Sequence, residues 1–377
     1  MAHTQLSITP ASPSNQGFDP LCKQLISDGL LTKSNAVSAQ EIAIKGGQRL
    51  ADVLTIRFGI AALSIAEVYS QIYQTQLLNP HESLPTPSLV HKFGPAHAAR
   101  TGLLPWRRMG ADTVVLTDSP DQFARNLAVL TAHLGPVRMA ITTTEYIEKY
   151  LIEHCQDTLV HAAETKVPQA QSSRMWRAKR TLAVGVAILF AFGLAAVFLP
   201  DLTFTILVAW AILILILTTG LKAAAAYACI SAKSEDIPHA VTPARLPKIT
   251  LLVPLFRETE IAGHLLARLR EIDYPHELLD VCLVTEGDDL TTRDALGKTV
   301  LPTWMRSVIV PAGTLRTKPR ALNFALDFAR GSIIGVYDAE DAPAPDQLRA
   351  VAFHFANCSP DVACLQGILD YYNDSTN

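Results

Sequence analysis

Asp338, Glu340 and Asp341 stand together at the end of an apolar run, residues 332–337. That run has the β-branched and aromatic character of a strand, and a strand end holds carboxylates in place instead of letting them sweep through solvent. Two or more hard oxygen ligands so held suit Mg2+ or Mn2+, ions that are usually shared with the phosphates of a substrate. The plainer alternative is an acidic turn capping a helix that starts near Pro345.

The elements that must position these acids lie upstream. Residues 249–253, 281–285, 307–310 and 332–337 read as apolar strands. A helix over 258–272 puts Ile261, Leu265, Leu266, Leu269 and Ile272 on one face. The order is strand, helix, strand, strand, helix, strand. Continuous apolar strands interleaved with helices predict an α/β fold with a parallel sheet covered on both faces. In such sheets ligands sit beyond the carboxyl ends of the strands. Polar clusters fall there three times, at 254–258, 286–289 and 338–341.

With those motifs in view, the C-terminal part resembles the family 2 glycosyltransferases, the inverting GT-A (Rossmann-like) enzymes that include bacterial cellulose and hyaluronan synthases. L-L-V-P-L-F-R-E at 251–258 resembles their first nucleotide-binding loop, and V-T-E-G-D-D at 284–289 the acidic turn that meets uridine. T-K-P-R-A-L-N at 317–323 is similar to the loop and helix start that hold Lys and Asn near the nucleotide. D-A-E-D at 338–341 stands where the metal-binding D-x-D lies. L-Q-G-I-L-D-Y-Y-N at 365–373 resembles the following strand, whose Gln and Asn border the donor sugar. The resemblance implies a nucleotide-sugar donor, a UDP-sugar above all, and a glycan or lipid-linked acceptor. It implies donor contacts from Pro254, Phe256, Glu258, Glu286, Asp288, Lys318, Asn323 and Gln366, and Mg2+ or Mn2+ on Asp338, Glu340 and Asp341.

Each of these residues also has an ordinary structural reading. Phe256 packs on a base or belongs to the core. Lys318 puts a point charge on phosphates, contacts the base, or lies in water. Glu286 and Asp288 accept hydrogen bonds from base or ribose, or form a solvated turn. Asn323 caps or packs its own helix. Gln366, a polar residue in an apolar strand, needs a partner if buried. An inverting displacement also needs a carboxylate to take the acceptor proton. Family members carry that base in a later acidic motif, followed by Q-x-x-R-W and further transmembrane helices. The catalytic base is therefore expected beyond Asn377, and the 377-residue chain is expected to bind donor without turnover.

Composition points to a membrane. Of 377 residues, 49% are hydrophobic and only 18% charged. Residues 181–200 and 202–221 carry no charge, and Asp201 alone parts them behind Pro200. Each is close to the ~20 residues that cross a bilayer, which predicts a transmembrane hairpin in preference to two core helices. Arg174, Arg177, Lys179 and Arg180 precede it, Lys222, Lys233, Arg245 and Lys248 follow it, and the loop between has no Lys or Arg. The positive-inside rule then puts both soluble parts in the cytoplasm of a bacterium, as a multi-pass inner-membrane protein. A net charge of −3, with no basic–aromatic clustering, excludes a nucleic-acid partner. Six scattered cysteines without a C-x-x-C pair indicate neither zinc nor a disulfide framework.

Before the hairpin, a polar, disordered N-terminus (1–17) precedes a small α/β module over 18–164. Ser38 with Glu41 and Ser64 with Glu67 read as capping boxes. Residues 113–116 and 137–141 read as strands, joined by a helix from Ser119-Pro120 to near His133. G-Q-R-L at 47–50, Leu54, Gly59 and the helix from Ser64 resemble the N-terminal domain of type II secretion and pilus ATPases. Some of those domains bind cyclic di-GMP through an R-L-G motif. Here Ala51 replaces that glycine and Gly59 lies one residue late, so Arg49 is expected to be solvated or capping and the module to dock a protein partner. Linkers are expected at 165–180 and 222–247, with the transferase domain over 248–377. The competing reading is a membrane scaffold or cyclic di-GMP sensor with a degenerate transferase. A nucleotidyltransferase would show a Gly-rich loop after the first strand, which Pro254-Leu255-Phe256 is not.

Overall fold

The computed structural model describes residues 17–172, 178–231, 243, 245–258 and 265–367. The N-terminus, apart from Gly17, lies outside the described residues, as do 259–264 and 368–377. The chain forms two compact units, one from residues 1–166 with 242–377 and one from 167–241.

The first unit begins with four helices, α1 Pro20–Ser27, α2 Lys33–Gly46, α3 Leu50–Phe58 and α4 Ala62–Ile72. Asp19 caps α1 through the Leu21 N–H, and Gly47 and Gly59 end α2 and α3 at φ 65° and 68°. Left-handed ends of this kind suit glycine. The two expected capping boxes are not used: Thr32 caps α2, accepting the Asn35 N–H at 3.2 Å, and Ser38 and Ser64 lie inside helices. α2 starts earlier because Thr32 supplies its cap and Ala36 is already buried against the core.

Helices α5 Pro87–Phe93 and α6 Pro95–Thr101 lead into a three-stranded sheet, β1 Leu103–Met109, β2 Asp112–Thr117 and β3 Val137–Ile141. β1 was not foreseen, because Pro105, Arg107 and Arg108 break its apolar alternation. The single helix expected between β2 and β3 is two, α7 Pro120–Arg125 and α8 Leu127–Leu134, parted at Asn126. Helices α9 Thr144–His154 and α10 Gln156–Thr165 close this segment.

The segment after the hairpin carries β4 Ile249–Leu255, α13 Leu265–Arg270, β5 Leu279–Glu286, α14 Leu290–Gly297, β6 Met305–Val310, α15 Lys318–Leu326, β7 Ile333–Val336 and α16 Gln347–Asn357. α13 is the described part of the helix expected over 258–272. α14 went unpredicted because L-T-T-R-D-A-L-G has no apolar stripe. The four strands are parallel in the order β6-β5-β4-β7. The chain thus winds outward from β4 to β6, then crosses to the other side of β4. The expected strand at 365–373 is not formed by residues 365–367, which are irregular and exposed; the rest lies outside the described residues.

The two soluble segments share one core. Tyr150, Leu159 and Ala163 pack in the same cluster as Leu252, Val284, Val308, Phe324 and Phe328. Polar ties run beside it: Arg57 reaches the buried Glu277 at 2.8 Å, and Arg100 and Lys166 both reach Asp327, at 2.8 and 2.9 Å.

The second unit is two helices, α11 Ala178–Phe198 and α12 Pro200–Ser231. Their windows Thr181–Phe198 and Pro200–Ala228 have mean hydropathy 2.5 and no buried share, so both are long and apolar enough to cross a membrane. α12 runs past the charge-free stretch. Its 32 residues span about 48 Å, and Lys222 falls about 33 Å from its start, a distance close to the thickness of a bilayer's hydrocarbon core.

At the amino end of the sheet Asp280 is buried to 4% exposure. Its carboxylate accepts from Arg306 Nε and Thr250 Oγ1, both at 2.9 Å, and from the Arg330 N–H at 3.2 Å. Glu148 of α9 binds both arginines, Arg306 at 3.1 Å and Arg330 at 2.8 Å. Burial alone would raise the Asp280 carboxyl, but the two guanidinium groups overcome it and hold it far below the ordinary carboxylate range. The stabilisation is therefore complete above about pH 4 and is lost as pH falls toward the lower native value. Asp280→Asn should cost about 3 kcal/mol at pH 7. In thermal unfolding of the detergent-solubilised chain, the gap between wild type and variant should narrow as pH drops below ~4. A gap independent of pH would contradict this assignment.

Candidate functional site

A hollow of about 300 Å3 opens beyond the carboxyl ends of β4 and β5. Pro254, Leu255 and Phe256 come from β4 and its exit, Val284 and Glu286 from β5, and Arg316, Thr317, Lys318 and Ala321 from the start of α15 and the loop before it. Two larger hollows, about 620 and 910 Å3, lie at the opposite, amino end of the strands. Charged groups there pair with one another, as Asp280 does with Arg306 and Arg49 with Asp118 at 2.9 Å. Arg49, expected to be solvated or capping, is thus tied by Asp118 and, at 3.9 Å, Asp52.

The crevice follows from the sheet order. β4 pairs with β7 only as far as Leu252–Val336, while its pairing with β5 continues to Leu255–Thr285. Leu252 presents its carbonyl toward β7, where Tyr337 donates to it at 3.2 Å. Two residues on, Pro254 faces the same side, where β7 has ended and no N–H is required. The strand order reverses between β4 and β7, the place where open α/β sheets leave room for a ligand.

Past Pro254 the chain turns sharply. Arg257 has φ 58°, a left-handed conformation unusual for a side chain of its size. Asp289 fixes it, accepting the Arg257 N–H at 2.6 Å while capping α14 through Thr292. Burial pulls the Asp289 carboxyl upward, but these hydrogen bonds hold it below its ordinary value. The turn leaves Phe256 half-exposed, with the guanidinium carbons of Arg257 and Arg316 5.1 and 5.0 Å from its ring centre. Arg316 also pairs with the exposed Asp288 at 2.9 Å.

Below the aromatic wall Glu286 is buried and meets Arg320 at 2.5 Å. Burial pushes its carboxyl above the ordinary value, against the pull of Arg320. Thr317 caps α15, which sets Lys318 at the first helical position, and the Lys318 ammonium pairs with the Asp338 carboxylate. A three-residue step along the helix keeps Ala321 on the hollow with Lys318. Asn323, five residues on, faces elsewhere: its amide donates to the Ala163 carbonyl of α10 at 3.2 Å.

The three acids after β7 have separate surroundings. Asp338 is half-exposed beside Lys318. Asp341 folds back to accept the Asp338 N–H at 2.7 Å, which closes the acidic turn, whereas the helix expected near Pro345 starts at Gln347 and takes Asp346 as its cap residue. Glu340 is exposed, and its carbonyl accepts from Arg268 at 2.8 Å. Among the described residues no three His, Cys, Asp or Glu side chains converge as a metal cage. The half-exposed Asp338, with Glu340 nearby in sequence, suits the open arrangement in which one or two carboxylates share an ion with phosphates and water.

Of the other expected contacts, Pro254, Phe256, Glu286 and Lys318 line the hollow, Glu258 bonds through its N–H to Thr292 at 2.9 Å, and Gln366 is exposed outside any strand. Arg316, Arg320 and Asp289 were not singled out. Arg320 and Asp289 stood inside the quoted motifs, but their ion pair and cap depend on residues remote in sequence. Arg316 has no local signature at all.

Comparison with known proteins follows this division of the chain. Residues 247–377 match the family described as "Glycosyltransferase like family 2". A β-monoglucosyldiacylglycerol synthase from Synechocystis sp. is 28% identical over 165 residues, 42% of this chain and 34% of that protein. The chain therefore spans about a third of the length of this curated relative. Among solved structures, the mannosyltransferase PcManGT from Pyrobaculum calidifontis with GDP-Man and Mn2+ aligns at 27% identity and TM-score 0.31, over 39% of this chain and 43% of that one. MshE with cdg aligns at 16% identity and TM-score 0.33, over 36% of this chain and 99% of that one. The C-terminal part of this chain, with its parallel sheet and crevice, is thus similar to glycosyltransferase family 2-like domains.

Proposed function

We propose that the chain binds the donor for a membrane-anchored, inverting glycosyltransferase that moves a sugar from a nucleotide-sugar, a UDP-sugar above all, to a glycan or lipid-linked acceptor. The observation that carries this reading is the hollow at the switch point, with an aromatic face, a cation and an accessible carboxylate around it. Phe256 offers a face for the base, and Glu286 and Asp288 offer acceptors for base or ribose. Lys318 and the amino end of α15 offer positive charge to the diphosphate. Mg2+ or Mn2+ would be held by Asp338 with Glu340, and when bound would supply charge that stabilises the departing nucleoside diphosphate.

The two apolar helices support membrane anchoring. The basic residues that flank the two apolar helices favour the cytoplasm of a bacterial inner membrane for both soluble parts. We read 18–164 as a module that braces and docks the domain over 248–377, with 181–221 as the anchor. A lipid acceptor is in keeping with the name of the cyanobacterial relative.

Calorimetric titration of the full chain in detergent with UDP tests the reading. Binding should require Mn2+ and vanish in Asp338→Ala. Lys318→Met should weaken it about 10-fold, the loss of one charge-assisted contact. Binding that ignores the metal, or survives Asp338→Ala unchanged, would sink the metal assignment, and no UDP binding at all would sink the donor reading.

A further inference from the structure

The loop that walls the hollow is held from outside its own domain. α10, the last helix of the N-terminal segment, lies along α15: the Asn323 amide donates to the Ala163 carbonyl at 3.2 Å, and Lys166 donates to the Asn323 carbonyl at 3.2 Å and to Asp327 at 2.9 Å. At the hollow end of α15 the contact becomes specific. The Glu164 carboxylate accepts the Thr314 hydroxyl at 2.7 Å and the Leu315 N–H at 3.0 Å. Those bonds, the Thr314 hydroxyl first among them, hold the Glu164 carboxyl below its ordinary value.

Side chains also crowd the loop at this point. A methyl group on Gly313 would come within 2.6 Å of Glu164 Oε1 and 2.8 Å of Val160 Cγ1, both on α10, and would collide with Arg320. The backbone thus passes between α10 and the buried Arg320–Glu286 pair. Leu315 is followed at once by Arg316, which covers Phe256, and by Lys318, which meets Asp338. The amide that Glu164 grips is therefore the last one before the groups facing the hollow.

We propose that Glu164 is a positioning residue for the donor site: it sets the 313–318 loop so that Arg316 and Lys318 face the hollow. The proposal rests on the donor reading of that hollow. The N-terminal segment thereby contributes to nucleotide affinity without touching nucleotide.

Hydrogen–deuterium exchange and UDP titration of the full chain in detergent, with Mn2+, test it in two separable ways. In Glu164→Ala, amides of 314–317 should exchange about 10-fold faster, the loss of a charged hydrogen-bond acceptor, while β4 and β5 stay as in wild type. Unchanged exchange at 314–317 overturns the brace, whatever the ligand. UDP should bind Glu164→Ala about 10-fold more weakly, with Glu164→Gln, which keeps an acceptor for Leu315, recovering most of the loss. Equal affinity in wild type and Glu164→Ala, or Gln behaving like Ala, overturns the positioning role and leaves the donor reading intact. If wild type binds no UDP, the donor reading fails and with it the positioning role, while the exchange result still decides the brace.

Discussion

Asp280 sits in the second strand of a covered parallel sheet, where an ionised carboxylate is tolerated only if its oxygens are fully engaged. The Arg306 guanidinium, the Thr250 hydroxyl and the Arg330 backbone N–H engage them, and Glu148 from the other soluble segment pairs with both arginines. This one requirement joins β4, β5, β6 and the start of β7 to α9. Those paired charges line the amino end of the sheet.

The carboxyl end is shaped by small departures from regularity. β7 stops short, Pro254 occupies the side it vacates, and Arg257 turns in a left-handed conformation that Asp289 holds. Strain of this sort, of order 1–3 kcal/mol for a non-glycine residue, persists where neighbours over-determine it. Two arginines cluster at the aromatic wall and a third supports its floor, each matched to a carboxylate or a ring. The result is a compact electropositive lip over a carboxylate-bearing edge.

The sheet was legible in the sequence because its strands are continuous apolar runs, and β4, β5 and β6 fall within a few residues of where those runs lie. The hairpin was legible for the same reason. Helix starts were not: a Ser-x-x-Glu pattern at Ser38 or Ser64 marks a cap only if the chain upstream is not already helical, and Thr32 and Ala61 show that it is. At the site, the residues from short motifs ending β4 and β5, Pro254, Phe256 and Glu286, were found together, with Lys318. Asn323 sat in the right motif on the wrong face of its helix, a matter of 3.6 residues per turn that only the helix start resolves. Asp341 was spent on its own turn, and Arg316 and Glu164 act across distances that no local pattern encodes.

The interruption of the compact unit by an apolar hairpin has a consequence for biosynthesis. Tyr150 and Leu159 leave the ribosome long before Phe324 and Phe328, the side chains with which they share a cluster. Translation must deliver roughly 160 further residues, including both greasy helices, before that interior can seal, and a lengthy closure of this kind is paid in chain entropy. The nascent N-terminal segment therefore waits with an uncovered apolar flank until the tail end of the sheet arrives to cover it.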